Sequence, residues 1–247
     1  MRGGTLTKKE LVEIDGRPIL WHVMRIYSAY GFNRFILPLG YGADQIKRYF
    51  LDYEAMNSDF TIQVGQKKSS IIHHGTAAHP DWEISLIDTG LYTEKASRIK
   101  AVAEYVQADR FFVTYGDGVG DVDIQAVLDF HVNHGRVGTI TAVQPQHYQY
   151  GIMEANESGQ LSAYVQYPQL PYWINAGFMV FERAFFDWIG EGENVEFETA
   201  VLQNLITAKQ IMMYRHSGFW QSMDTLKDAM ELEQAWHTSQ PWKVWKD

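Results

Sequence analysis

The residues best placed to do chemistry lie where apolar runs end. Phe111-Phe112-Val113-Thr114-Tyr115-Gly116-Asp117-Gly118-Val119-Gly120-Asp121 passes abruptly from β-branched and aromatic residues to small and acidic ones. That is the pattern of a buried strand closing in a tight loop. Ligands of open α/β sheets bind beyond the carboxyl ends of the strands, so Asp117 is a candidate metal-ligating carboxylate, and the flanking glycines would let phosphate oxygens approach the backbone. The same stretch also reads as an Asp-Gly turn used for geometry alone. A second run, Ile211 to His216, leads through Gly218-Phe219-Trp220-Gln221-Ser222-Met223 to a second acid, Asp224. Arg2-Gly3-Gly4-Thr5, followed by Lys8-Lys9, could be what remains of a phosphate-cradling loop, although no strand precedes it. Asn175, at the entrance of the apolar run Trp173 to Phe181, could hold a sugar hydroxyl or cap a turn. His73, His74 and His79 invite a zinc reading, but neighbouring strand residues face opposite sides and do not easily share an ion.

Composition sets outer limits. The chain has 247 residues, 46% hydrophobic and 21% charged, enough for a sizeable core in one α/β domain. A formal charge of -9 argues against nucleic acid or an acidic membrane surface as partner, because phosphate backbones are held by Lys and Arg. It leaves room for a nucleotide whose charge a metal offsets. With no cysteine there is neither a disulfide framework nor a thiolate metal site. No signal peptide or bilayer-length apolar run is evident, so the cytoplasm is expected. Eight Trp and fourteen Tyr fit sugar stacking or a subunit interface, and still better a bulky core.

The elements that must position these residues follow in order. A short strand, a turn at Asp15-Gly16 and a helix from Pro18 to about Gly31 come first. Phe35 to Gly40 reads as a strand, Gly42 to Tyr53 as a helix, and Asp59 to Val64 and Trp82 to Asp88 as strands. Ser97 to Tyr105 is helical and feeds the strand before Asp117. A helix from about Asp121 to His134 and a strand from Val137 to Val143 follow. Tyr150 to Met153 with Leu161 to Val165 reads as an antiparallel meander. Trp173 to Phe181 is one apolar strand, Phe185 to Ile189 a short helix, Phe197 to Ala208 a longer one, and Thr225 to His237 another. The strand and helix alternation predicts a doubly wound, mostly parallel sheet with a small antiparallel excursion near 145–172 and a helical Trp-rich tail near 225–247. All of it reads as one domain over 1–247, the tail being a candidate oligomer contact. Asp121-Val122-Asp123 also matches the D-x-D form of metal-dependent glycosyltransferases, an alternative weakened because two acids at a helix start more often cap it.

Read together, these pieces resemble the sugar-1-phosphate nucleotidyltransferase family, and within it the glucose-1-phosphate cytidylyltransferases. The likeness is carried by Val12-Glu13-Ile14 with Gly16-Arg17-Pro18-Ile19-Leu20-Trp21-His22, then Leu39-Gly40-Tyr41, Asp88-Thr89-Gly90 and Thr114-Tyr115-Gly116-Asp117-Gly118-Val119. It continues in Thr141-Ala142-Val143-Gln144-Pro145, Trp173-Ile174-Asn175, and Gly218-Phe219-Trp220-Gln221 with Met223-Asp224-Thr225. The resemblance implies a Rossmann-like nucleotide-binding core, Mg²⁺ held by Asp117 and Asp224, and attack by a sugar phosphate on the α-phosphorus of CTP with release of pyrophosphate. It implies Lys9 near the phosphates, Gly3, Gly4, Thr5, Arg98 and Gly116 on the nucleotide, and Tyr167, Asn175 and Glu198 on the acceptor.

The departures are specific. The family's opening strand and G-G-x-G-T-R-L loop are shortened here to Arg2-Gly3-Gly4-Thr5-Leu6. The lysine of its P-K-P pattern falls on Lys9, between Lys8 and Glu10, and a Gly-Gly before Arg98 is Ala96-Ser97. The lysine of its E-K-P pattern, which holds the sugar phosphate, falls on Tyr167. Losing one charge-assisted phosphate contact would cost ~1.5–3 kcal/mol of binding. Transfer could then be redirected to another acceptor, or the chain could act as a non-catalytic binding or partner protein.

Overall fold

The structure, a computed structural model, describes residues 7–64, 70–74, 81–144, 151–166, 171–190 and 194–246. The described chain opens with a hairpin, β1 (Glu13–Ile14) and β2 (Arg17–Pro18), turned by Asp15 and Gly16 at φ 53° and 70°. That pair of positive φ values is what a two-residue turn needs to follow the strand twist, and Asp-Gly supplies it at little steric cost. Pro18 then leads directly into α1 (Ile19–Ser28), whose Ile19, Leu20, Val23, Met24, Ile26 and Tyr27 are all buried. Strand β3 (Arg34–Leu39), helices α2 (Ala43–Leu51) and α3 (Tyr53–Met56), and the hairpin β4 (Asp59–Gln63) and β5 (Ser70–His74) follow. Next come β6 (Glu83–Asp88), parallel to β3 over its whole length, α4 (Lys95–Ala101) and β7 (Arg110–Val113).

The second half supplies β8 (Gly118–Gly120), α5 (Ile124–His134), β9 (Gly138–Val143), the antiparallel hairpin β10 (Ile152–Ala155) and β11 (Leu161–Val165), β12 (Ile174–Asn175) and β13 (Met179–Glu182). It ends with α6 (Leu202–Thr207), β14 (Ile211–His216), β15 (Trp220–Ser222) and α7 (Leu226–Thr238). The main sheet runs β12-β9-β13-β7, with β14 parallel on the other edge of β9 and β13 antiparallel to both β7 and β9.

Helices cover both faces of this sheet, and β13 shows why. Its Val180 packs among residues of α1, α5 and α7, whereas Met179 and Phe181 pack among residues of α4 and α6. Phe112 and Phe111 of β7 divide in the same way. A strand with apolar residues on both faces must be covered on both, which is the doubly wound α/β arrangement expected from the sequence. The described pairings within this sheet are antiparallel except for β14 with β9, however, so it is not the mostly parallel sheet that the strand and helix alternation predicts.

Four other expectations are corrected. The run Trp173 to Phe181 is not one strand: it breaks between β12 and β13, where Gly177 (φ 77°) and Phe178 (φ 46°) turn left-handed and shift the pairing against β9. The fully buried Phe178 ring, stacked on Tyr27 at 5.8 Å, offsets the strain of a non-glycine residue in that conformation. Residues 70–74, to which the sequence pattern gives no element of its own, form β5, and its His73 and His74 take separate partners, Ser58 and Thr61. Residues 118–120, read as loop, form a short ribbon with β15. The Trp-rich tail, expected at an oligomer contact, is core of its own chain. Trp242 (0% exposed) and Trp245 (8%) pack with Trp236 and His22.

His22 holds that tail. Its Nε2 lies 3.0 Å from the Ile14 carbonyl, which can only accept, and its Nδ1 takes a hydrogen bond from Trp242 Nε1 at 3.3 Å. Both partners require the neutral ring with the proton on Nε2. Burial, the largest influence, lowers its pKa to about 4. The unfolded chain therefore binds a proton near pH 6.5 that the folded chain refuses until about 4, and stability falls as pH drops through that window. We expect a loss of about 3 kcal/mol between pH 6.5 and 4. In thermal melts at stepped pH, His22→Gln should show a flatter dependence, and equal slopes for both proteins would exclude His22 as the cause.

Candidate active site

The ribbon brings the two acids together. β8 pairs with β15 in the register Gly118 with Ser222, and the ladder continues one step further through a hydrogen bond from Met223 N to Asp117 O at 2.8 Å. Asp117 and Asp224 are thus adjacent rungs of one ladder although distant in sequence. Asp224 is steadied from both sides: its Oδ2 accepts from Ser222 Oγ at 3.0 Å, and its backbone N donates to Asp228, the acid of the capping box that starts α7.

Lys9 completes the set. A single 3-10 turn, Lys9–Leu11, sits against α1 with Leu11 in the apolar cluster of Leu20, Met24, Leu39 and Ile46, and this carries the lysine over the ribbon. Its Nζ lies 2.8 Å from Asp117 Oδ2 and 2.5 Å from Asp224 Oδ1. Burial draws the lysine pKa down, but the hydrogen bonds to both acids outweigh it and leave the ammonium above its ordinary value. The bond from Lys9 is in turn the main reason that Asp224 falls below the usual carboxylate range. One cation therefore sits between two carboxylate oxygens on a partly exposed rim, with Asp117 28% and Asp224 66% exposed.

A second group forms the adjacent wall. Tyr115, two residues before Asp117, donates its hydroxyl hydrogen to Glu198 Oε1 at 3.1 Å and accepts from Asn175 Nδ2 at 3.1 Å. Asn175 also caps the break after β12, its Oδ1 accepting from Gly177 N at 2.9 Å. It thus fulfils the turn role read from sequence and still presents its amide to Tyr115. Glu198 comes from a single π-helical turn, Phe197–Val201, started by Glu196, whose Oε2 accepts from Thr199 N. Lys95 Nζ pairs with Glu198 Oε1 and stands 5.3 Å above the Tyr115 ring. Burial, with the nearby Glu198 charge, raises the Tyr115 pKa and keeps its hydroxyl protonated.

The remaining sequence candidates are placed as follows. Gly116 lies where a Cβ would come within 3.2 Å of Glu10 Cγ, so the Lys9 turn is packed directly on the Asp117 loop. Arg98 clamps the loop after β6: its Nη1 donates to Leu39 O, Thr89 Oγ1 and Gly90 O, and its Nη2 to Leu91 O. Gly40 must be small because a Cβ there would sit 2.5 Å from that guanidinium. Gly3, Gly4, Thr5 and Tyr167 lie outside the described residues. Asp123 caps α5 by accepting from Ala126 N, and Asp121 pairs with His216 at 2.9 Å, so the D-x-D acids are already engaged. Sequence reasoning gave no role to Lys95 or to Tyr115.

An α/β sheet with two acids converging on one cation, beside a wall of hydrogen-bonding groups, is a setting for metal-assisted substitution at phosphorus. A family model described as Nucleotidyl transferase matches residues 5–239, which is nearly the whole chain. The protein belongs to the sugar-1-phosphate nucleotidyltransferase family. It is 39% identical over 241 residues to the glucose-1-phosphate cytidylyltransferase of Salmonella typhi, covering 96% of this chain and 91% of that one. It is 35% identical over 239 residues to a probable glucose-1-phosphate cytidylyltransferase of Bacillus subtilis, with the same coverage. Among solved structures it resembles HddC from Yersinia pseudotuberculosis complexed with GMP-PN, at a TM-score of 0.67 and 17% identity over 96% of this chain and 93% of that one, a likeness of fold.

Asn175→Ala removes the cap on Gly177 and the bond to Tyr115 together, and should cost about 1–2 kcal/mol of stability. Urea titration checks this. A change below about 0.5 kcal/mol would mean that the break between β12 and β13 holds without its cap.

Proposed function

We propose that the protein transfers a nucleotidyl group from CTP to a sugar 1-phosphate, forming a CDP-sugar and pyrophosphate, with Mg²⁺ as its cofactor. The observation that carries this reading is the shared seat of Asp117, Asp224 and the Lys9 ammonium. Two carboxylate oxygens directed at one positive charge are the hard donors a magnesium ion takes, so these residues fit it and would hold it. When bound, the ion would offset negative charge on the triphosphate and the departing pyrophosphate. CTP and a sugar 1-phosphate are favoured by the cytidylyltransferase relatives.

In the reaction an oxygen of the sugar phosphate bonds to the α-phosphorus as the bond from that phosphorus to the pyrophosphate oxygen breaks in line, the electron pair leaving with pyrophosphate. The attacking oxygen is already anionic, so the chain needs no general base. Lys9, kept protonated by its acids, is placed to follow charge onto the phosphate oxygens. Tyr115, Asn175 and Glu198 orient the acceptor, which lowers the barrier by fixing the line of attack. Gly116, with Gly3, Gly4 and Thr5, would face the nucleotide. Arg98 would act there by shaping the loop after β6. Among the described residues no helix is long and apolar enough to cross a membrane, and consumption of CTP would place the reaction in the cytoplasm.

Pyrophosphate release from CTP and glucose 1-phosphate with Mg²⁺ tests the reading. Asp117→Asn and Asp224→Asn should each lower kcat by about 10²–10³-fold, since each removes charge stabilisation concentrated in the transition state. Undiminished turnover in EDTA, or in Asp117→Asn, would contradict it.

A further inference from the structure

We propose that Lys95 is the acceptor-side cation of this site, the residue that binds the phosphate of a phosphorylated acceptor. This rests on the reading of the site as one that takes a sugar 1-phosphate, and it names the group that selects the phosphorylated form. An acceptor bearing a phosphate brings negative charge into a place already lined by Asp117, Asp224 and Glu198. Tyr115 and Asn175 can meet its hydroxyls, but neither carries a charge to offset the phosphate.

Lys95 is where such a charge is needed. It begins α4, its Nζ pairs with Glu198, and it lies over the ring of Tyr115, two residues from Asp117. The pair is half exposed, with Lys95 at 53% and Glu198 at 36%, and a pair open to water to this degree is held weakly. Both members can exchange their partner for a ligand without a large penalty. Glu198 shares one oxygen, Oε1, between Lys95 and Tyr115, so a ligand hydroxyl can take the place of Lys95 there. A sugar hydroxyl donating to Glu198 and a phosphate accepting from Lys95 would satisfy both groups together. Other described cations beside the site have other work. Lys9 is held by the two acids, and Arg98 is bound to backbone carbonyls.

The test is steady-state kinetics on the full chain with CTP, Mg²⁺ and glucose 1-phosphate, with calorimetric titration of glucose 1-phosphate alone. Lys95→Gln should raise the KM for glucose 1-phosphate about 10- to 100-fold, the loss of one charge-assisted contact, and leave the KM for CTP within about twofold. Lys95→Arg should restore most of the affinity, a rescue that a merely structural lysine would not show. An unchanged KM for glucose 1-phosphate in Lys95→Gln, or an equal rise for both substrates, would overturn the proposal while leaving the reaction standing. Binding of glucose 1-phosphate that depends on Lys95 without turnover would leave the proposal standing and remove the reaction. Absence of any glucose 1-phosphate binding by the unaltered protein would overturn the proposal.

Discussion

The structure depends on the meeting of two carboxylates at one positive charge. Like charges this close repel, and each would resist ionisation unless a cation lay between them. Lys9 is that cation in the free protein, and its hydrogen bonds lower the Asp224 pKa and raise its own. The arrangement lets one positive charge offset both carboxylates in the free protein. The rest of the chain can be understood as support for this contact: the ribbon that sets the register of the acids, the capping box behind Asp224, and the turn that brings Lys9 over them.

The fold supplies rigidity where the site requires it. Asp117 follows the half-buried strand β7, and Asp224 is anchored by the first turn of α7. That helix is in turn tied to the opening hairpin, where Asp15 N donates to Glu233 and Trp236 Nε1 donates to Asp15. The tryptophan cluster around His22 locks the tail onto α1, the same helix against which the Lys9 turn packs. Packing on the side away from the chemistry thus fixes the positions of all three charged residues. The break between β12 and β13 serves the other wall: by leaving the ladder it exposes the Asn175 amide to Tyr115, and local departures of this kind often re-aim side chains at ligand sites.

Much of this was legible in the sequence. Asp117 and Asp224 stood out because each closes an apolar run, and strands with apolar residues at every position announced a sheet covered on both faces. Other features left no such mark. Gly118-Val119-Gly120 is too short and too rich in glycine to show a strand period, so the ribbon that aligns the acids was invisible until its partner was seen. Lys95 reads as one more solvated lysine at a helix start, and only the chain folding back with Glu198 gives it a partner. Aromatic content in the tail signals burial but not against what, so Trp242 and Trp245 pointed outward on paper and inward in the fold. The histidines of β5 obscured its alternation, and Gly177 concealed a break within a run that otherwise looks continuous.

The most direct test of the central claim is to count Mn²⁺, standing in for Mg²⁺, bound to the CTP complex by electron paramagnetic resonance in the unaltered protein, in Asp117→Ala, in Asp224→Ala and in the double variant. If the two carboxylates share one ion, each single variant should lose the same bound Mn²⁺ and the double variant should lose no more, because residues acting on one partner are not additive. Losses that add across the two positions, or an ion retained when either acid is removed, would show that the acids do not hold a common ion.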